Sequence, residues 1–204
     1  MPRPRTPLLS TERIADAAME LVDEGAPFGV NAIARRLGVT PSSLYNHVAG
    51  RDEIIELMRG RLAERYMPVS PTGTWDEVVE AMLRAERRMY AAHPFLIPLI
   101  VGKTITDPSV IASYDRLATV LAEAGFPEEE VLEVVAIIDA YSIGFGLDLA
   151  SPDDVWLPET PTETLGRLVE AGPRGARRSD QAFESGLEML LDGLRLRLAR
   201  YELD

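Results

Sequence analysis

Apolar positions recur along almost the whole chain at intervals of three and four, the spacing of one face of an α-helix. Ile14, Ala17, Ala18, Leu21 and Val22 form the first stripe. Ser10 stands ahead of it as an N-cap with Glu12 in the first turn, and Gly25 follows where a left-handed residue would end the helix. Ile33, Ala34 and Leu37 form a second, shorter stripe closed by Gly38. Thr40 then offers a cap, and Pro41 fills the first helical position, where its missing N–H costs nothing. The spacing predicts a third helix from Pro41 to Ala49 that buries Leu44 and Val48. A fourth follows, capped by Asp52 and carrying Ile54, Ile55, Met58 and Leu62.

Proline, serine and glycine between Met67 and Gly73 break the pattern with a turn or short linker. Beyond it the periodicity predicts a long amphipathic helix over Trp75–Ala92, ended by His93-Pro94, and a short apolar piece, Phe95–Val101. Asp107-Pro108 caps a helix running to Ala124, and Gly125-Phe126-Pro127 separates it from another over Glu128–Leu149. Residues 150–178 read as a long loop with a short helix near Thr162–Ala171, and a last helix spans Ser179–Tyr201. No strand pattern and no internal repeat is present, so the expected fold class is all-α.

The sharpest local signal is the pair of helices joined by Leu37-Gly38-Val39-Thr40. A helix-turn-helix needs a small residue where its helices cross, a glycine able to take positive φ in the turn, and apolar residues locking the second helix. Ala34, Gly38, Val39 and Leu44 supply these at the required spacing. The second helix then presents Ser42, Ser43, Tyr45, Asn46 and His47 outward. These short or planar hydrogen-bonding groups suit base edges and phosphates in a major groove, whereas a merely solvated face more often carries Glu and Lys.

Net charge is −12, which on its face argues against a nucleic-acid partner. The distribution answers that objection. Residues 1–65 hold nine basic and nine acidic side chains, so the whole deficit lies in the remaining 139 residues. Charges beyond roughly 8 Å are largely screened, so the local field at the reading face decides. An acidic body is also kept away from phosphate. The absence of cysteine excludes disulfides, thiolate metal sites and thiol nucleophiles. No run of apolar residues is long enough for a membrane span and no secretory signal is visible, so a cytoplasmic location is expected and no membrane partner.

Residues 10–60 resemble the DNA-binding head of the TetR family. The likeness rests on Ile14-Ala15-Asp16-Ala17-Ala18, Ile33-Ala34-Arg35-Arg36-Leu37-Gly38-Val39, Ser43-Leu44-Tyr45-Asn46-His47-Val48 and Arg51-Asp52-Glu53. The Leu-Tyr-x-His-Val run is similar to the tetracycline-repressor branch, as is the ending Phe183–Leu194. The resemblance implies an N-terminal three-helix helix-turn-helix DNA-binding domain over residues 1–50, linked through a helix at 51–66. A helical ligand-binding, regulatory and dimerisation domain over 67–204 would follow. It also implies a double-stranded DNA operator as partner, read by Asn31, Thr40, Pro41, Ser42, Ser43, Tyr45, Asn46, His47 and Arg51. Within that set Tyr45, His47 and Arg51 would grip phosphates, and Pro41, Ser42, Ser43 and Asn46 would face bases. The branch has a basic residue where Asn31 stands, Gln where Pro41 stands and an aromatic where Asn46 stands, so the operator should differ. Arg3 and Arg5, in a proline-spaced arm, either reach a neighbouring minor groove or belong to a disordered tail.

The last helix, with Ala182, Leu187, Leu190, Leu191, Leu194 and Leu198, and the Glu128–Leu149 helix both carry more apolar surface than a helix with one wet face needs. Similar proteins build a four-helix homodimer bundle from these two helices; an intrachain core is the other reading. Met82, Arg87, Tyr90, His93 and Phe95, followed by Leu99, Tyr114, Asp139, Phe145 and Trp156, mix aromatic walls with a few polar handles. That mixture suits a small, largely apolar effector, although each aromatic also fits plain core packing. His93 either orients a ligand or caps the helix before Pro94, and Asp139, amid Ile137, Ile138 and Ala140, wants a partner. The tetracycline-repressor branch binds its ligand with a divalent metal. Here no His/Glu set stands at ligand spacing, so neither metal nor cofactor is expected. The function expected is a dimeric repressor released from a palindromic operator by a small effector. A DNA-binding regulator whose body is a protein-interaction platform is the alternative, and an enzyme is not expected.

Overall fold

Helix α1 (Thr11–Asp23) begins where Ser10, in extended conformation, accepts the Arg13 N–H at 3.3 Å in the computed structural model, which describes residues 9–67, 73–157 and 163–201. It ends at Gly25, with φ +65: the Gly25 N–H donates to the Val22 carbonyl and the Ala26 N–H to the Leu21 carbonyl, both at 2.9 Å. Helix α2 (Val30–Leu37) ends the same way on Gly38, φ +68, with the Val39 N–H donating to the Ala34 carbonyl at 3.0 Å. These are paired glycine stops that satisfy the last carbonyls and turn the chain sharply.

Eight more helices follow among the described residues: α3 (Pro41–Tyr45), α4 (Arg51–Tyr66), α5 (Trp75–Ala92), α6 (Ile97–Ile100), α7 (Pro108–Ala124), α8 (Glu128–Asp148), α9 (Glu163–Ala171) and α10 (Gly175–Tyr201). No strand occurs among the described residues. The arm residues Arg3 and Arg5, the turn at 68–72 and Thr162 lie outside them. The described residues divide into two compact units. One holds 9–67 with Ala92–Arg116, the other 73–91 with Leu117 onward, the chain passing between them inside α7.

In the first unit Ile14, Ile33, Leu44, Ile54, Ile55, Met58 and Leu62 are almost wholly buried, the stripes expected from periodicity. Each contributes about 1.5–3 kcal/mol by leaving water. Ion pairs fasten α1 to its neighbours: Arg36 of α2 reaches Glu20 at 3.1 Å and Glu24, and Arg61 of α4 reaches Asp16 at 3.2 Å. Helix α4 also holds the segment that follows α6. Glu56 accepts the Thr106 and Asp107 N–H groups at 2.7 and 3.2 Å, and Arg59 donates to the Ile100 carbonyl at 2.9 Å. Asp107 caps α7, accepting the Ser109 N–H at 2.9 Å.

Three boundaries differ from the periodicity. Helix α3 stops at Tyr45 rather than Ala49, because the Ala49 N–H is taken by the Glu53 carboxylate and not by the Tyr45 carbonyl. The N-cap of α4 is Gly50 rather than Asp52, whose carboxylate instead pairs with Lys103 at 2.8 Å. Helix α10 begins at Gly175, four residues before Ser179, its first N–H donated to the Asp153 carbonyl at 3.2 Å.

The second unit is built on α5, α8 and α10. Val79, Leu83, Leu121, Val134, Ile138, Phe183, Leu187 and Leu191 fill its interior. Arg84 of α5 forms a two-pronged pair with Glu184 of α10 at 2.6 and 2.8 Å, and Arg195 of α10 returns to Asp76 of α5 at 2.6 Å. Trp75, Phe126 and Tyr201 stack edge-on at one end. Among the described residues no helix is long and apolar enough to cross a membrane.

Candidate nucleic-acid interface and effector region

Residues 25–50 contain no carboxylate, so the turn and both helices that flank it present a surface without acid. Asn31, Thr40, Pro41, Ser42, Tyr45, Asn46, His47 and Arg51 are all exposed, and Ser43 is half-buried. Tyr45, with 58% of its surface open, is an exposed large side chain on a helix whose Leu44 is fully buried. Burial of Leu44 and Val48 fixes the rotation of α3 and so aims Tyr45, Asn46 and His47 outward. Two of the nine have structural duties. Thr40 caps α3 by accepting the Ser43 N–H at 3.3 Å, and its hydroxyl lies 2.9 Å from the Ser43 hydroxyl. Arg51 opens α4 with its guanidinium 5.0 Å from the Phe28 ring, a stacked cation at the edge of the face. Phe28 was not visible as a site residue in the sequence; its role follows from the way the chain enters α2. Of the nearby acids of the first unit, Glu20 pairs with Arg36, Asp16 with Arg61 and Asp52 with Lys103, while the Glu53 carboxylate accepts the Ala49 N–H.

The ten residues expected around an effector are shared between the units. In the first, His93 is buried with both ring nitrogens engaged: Nδ1 lies 2.8 Å from Asp23 Oδ1 and Nε2 lies 3.2 Å from the Tyr66 hydroxyl. It clasps the end of α1 to the end of α4. Phe95 covers Gly25 and is half exposed, Leu99 is half-buried on α6, and Tyr114 is half-buried on α7. In the second unit Met82 and Tyr90 are buried on α5, and Arg87 donates to the Phe145 carbonyl at 3.2 Å while lying 4.7 Å from the Phe183 ring. Asp139 is half-buried on α8. Trp156 lines a cavity of about 270 Å³ with Leu165, Leu168, Val169, Pro173 and Arg178, and of the ten it alone does so.

Sequence reasoning passed over Glu86, which lies between Arg84 and Arg87 and looks there like part of a solvated helix face. Burial pushes its carboxyl up to about 7; the Asp139 charge adds to the effect and the Ser142 hydroxyl beside it offsets part. Among the described residues no group of His, Cys, Asp and Glu is placed to hold a metal ion.

Residues 67–198 match the family model for the tetracyclin repressor-like C-terminal domain, about two thirds of the chain. The chain belongs to the TetR family. Like its relatives it is a transcription regulator and not an enzyme. The HTH-type transcriptional repressor DrrR1 of Streptomyces coeruleorubidus is 25% identical over 218 residues, covering 95% of this chain and 80% of that one. Among solved structures, apo ActR from Streptomyces coelicolor is 26% identical with a TM-score of 0.80, covering 96% of this chain and 99% of its own. ActR in complex with actinorhodin is 25% identical with a TM-score of 0.76, covering 93% and 96%. The TetR fold thus extends over both units and not only over the helix-turn-helix.

One further surface of this TetR chain matters. On α8, Leu132, Ala136, Ala140, Gly144 and Leu147 recur at helical spacing and all face outward. On α10, Met189, Gly193 and Leu196 do the same. Leu132 and Met189 each leave 74% of their surface in water. A helix that is apolar on both its inward and its outward face is built to be covered twice.

Proposed function

We propose that this protein is a homodimeric repressor that binds a palindromic operator through α2 and α3 and is released by a small, largely apolar effector. Residues 1–50 act as the reader, 51–66 as the connecting helix and 67–204 as the regulatory and dimerising body, working in the cytoplasm where its DNA is. The exposed, acid-free face of Thr40–Arg51 carries this reading. Tyr45, His47 and Arg51 hold phosphates; Pro41, Ser42 and Asn46 meet base edges, with Asn31 beside them and Thr40 and Ser43 setting the helix. The outward stripes of α8 and α10 support a self-complementary bundle between two copies, which places two readers at half-sites one helical turn apart.

Effector release is supported by the likeness to ActR, whose structure is known with actinorhodin. Release requires the effector to favour a body state in which the two readers no longer match the half-site spacing, and differential affinity for the two states is what drives it. The test is operator binding by Tyr45→Ala and Arg51→Ala, with sedimentation as control. Each substitution lowers affinity about 10-fold to 100-fold while the dimer persists. Undiminished binding to a palindrome from the protein's own upstream region would remove α3 as the reading helix.

A further inference from the structure

Three guanidinium groups of the first unit are tied to carboxylates: Arg36 to Glu20 and Glu24, Arg59 to Glu56, and Arg61 to Asp16. Arg51 is held differently. It is exposed at the start of α4, and its guanidinium carbon lies over the Phe28 ring, 5.0 Å from the ring centre. Phe28 is half-buried and directly precedes Gly29, the N-cap of α2. The contact therefore joins the entry of α2 to the entry of α4 at the border of the reading face. The two carboxylates that follow Arg51 in sequence are turned elsewhere: Asp52 pairs with Lys103 at 2.8 Å, and Glu53 accepts the Ala49 N–H. Lys103 is the main reason the Asp52 carboxyl lies below the usual carboxylate range; the Arg51 charge, acting through space, contributes least.

A carboxylate partner and an aromatic partner leave an arginine in different states. An ion pair takes up N–H donors and offsets the charge. A guanidinium lying over a ring is restrained, yet its charge stays whole and its donors remain for an outside acceptor. A phosphate is the acceptor that suits such a group, being anionic and able to take two parallel N–H bonds. An apolar residue just ahead of an N-cap ordinarily has another job, packing on the fourth helical residue, which here is the buried Ile33. Leucine does that job equally well. Only an aromatic side chain also offers a face to a cation.

We propose that Phe28 is a positioning residue for operator binding: its ring holds the Arg51 guanidinium in place, with its charge intact, for a phosphate of the DNA backbone. This deepens the reading above and rests on Arg51 as a phosphate contact. Phe28 acts through Arg51. The gain is preorganisation, because a long side chain ordered before the DNA arrives loses less freedom on binding.

The test is a double-mutant cycle on the full-length chain, read by fluorescence anisotropy on a palindromic duplex from its own upstream region, from about 50 to about 200 mM salt. The variants are Phe28→Leu, Phe28→Trp, Arg51→Ala, and Phe28→Leu combined with Arg51→Ala. Arg51→Ala should weaken binding and flatten the plot of log affinity against log salt by about one per reader. Phe28→Leu should weaken binding about two- to fivefold per reader, and Phe28→Trp should bind at least as tightly as wild type. In the Arg51→Ala background, Phe28→Leu should change affinity by less than about twofold. Any loss of folded protein is common to both backgrounds and cancels in the cycle. If Phe28→Leu binds like wild type, costs the same with and without Arg51, or is not bettered by Phe28→Trp, then Phe28 does not position Arg51, while the reading helix stands. If Arg51→Ala binds with wild-type affinity and salt slope, Arg51 grips no phosphate, and its part in the reading above falls with this inference.

Discussion

The reading face of the first unit and the α5–α8 region of the second treat charge in opposite ways. In the first, acids lie close to the chain's cations and are tied down: Glu20 and Glu24 to Arg36, Asp16 to Arg61, Asp52 to Lys103. What remains open there is polar, exposed and without carboxylate. In the second, Arg84 and Arg87 pair with Glu184 and Asp180, while the Glu86 carboxyl is pushed up by burial and by the nearby Asp139 charge. A face without free carboxylates is one that a polyanion can approach; a buried carboxyl away from cations is instead held partly neutral by its surroundings. The same contrast holds for apolar groups. The first unit buries its stripes once, whereas α8 and α10 leave a second stripe in water.

The largest effect should come from that second stripe. Leu132→Glu with Met189→Glu places two charges on positions that are three quarters exposed in one chain, so the protomer keeps its fold. Equilibrium sedimentation should show monomers, and operator affinity should drop roughly 100-fold or more as the second half-site is lost. A double variant that stays dimeric would place the interface elsewhere and leave the stripes without a purpose.

Next in size is the Glu86 charge. Its carboxyl stands at about 7 in the fold against 4.5 when free, so the folded chain holds a proton that the unfolded chain has already released in that interval. Stability therefore falls as pH rises from about 4.5 to about 7 and is flat above, by about 3 kcal/mol in all. Denaturant melts of Glu86→Gln should lack this decline and exceed wild type near neutral pH. Identical pH profiles would mean that the carboxyl is solvated and that the contrast between the two regions is overstated.

The smallest effect tests the first unit's local design. Ser10→Ala removes the oxygen that accepts the Arg13 N–H and should cost about 1 kcal/mol of stability in chemical denaturation. Binding of any ligand by the second unit should be unchanged, because α1 belongs to the first unit alone.

How much of this was legible in the sequence follows the range of the forces involved. Ser10, Thr40-Pro41, Asp107-Pro108, Gly25 and Gly38 act on their own few residues, and each marked its boundary correctly. Where one element competes for another's backbone, periodicity misled. Ala49 looked helical because Val48 is buried, but Glu53 of the next helix takes its N–H. Asp52 looked like a cap until Lys103, fifty residues away, claimed it. His93 was open between ligand and cap; Asp23 and Tyr66, from two other helices, decide its bonds. Glu86 was invisible for the same reason, since Arg84 and Arg87 promise compensation that the packing sends to Glu184 and Asp180. Residue types on the reading face were plain because exposure there needs no partner from the chain.

The spacing of the two readers bears most directly on the whole account. Fluorescence anisotropy should compare a palindrome from the protein's upstream region with versions carrying about five or about ten inserted base pairs between half-sites, half and one full helical turn. A dimer with two fixed readers predicts tight binding to the native site, loss to the level of scrambled DNA with the half-turn insert, and partial recovery with the full turn. Equal binding to all of them, or to scrambled duplex, would contradict it.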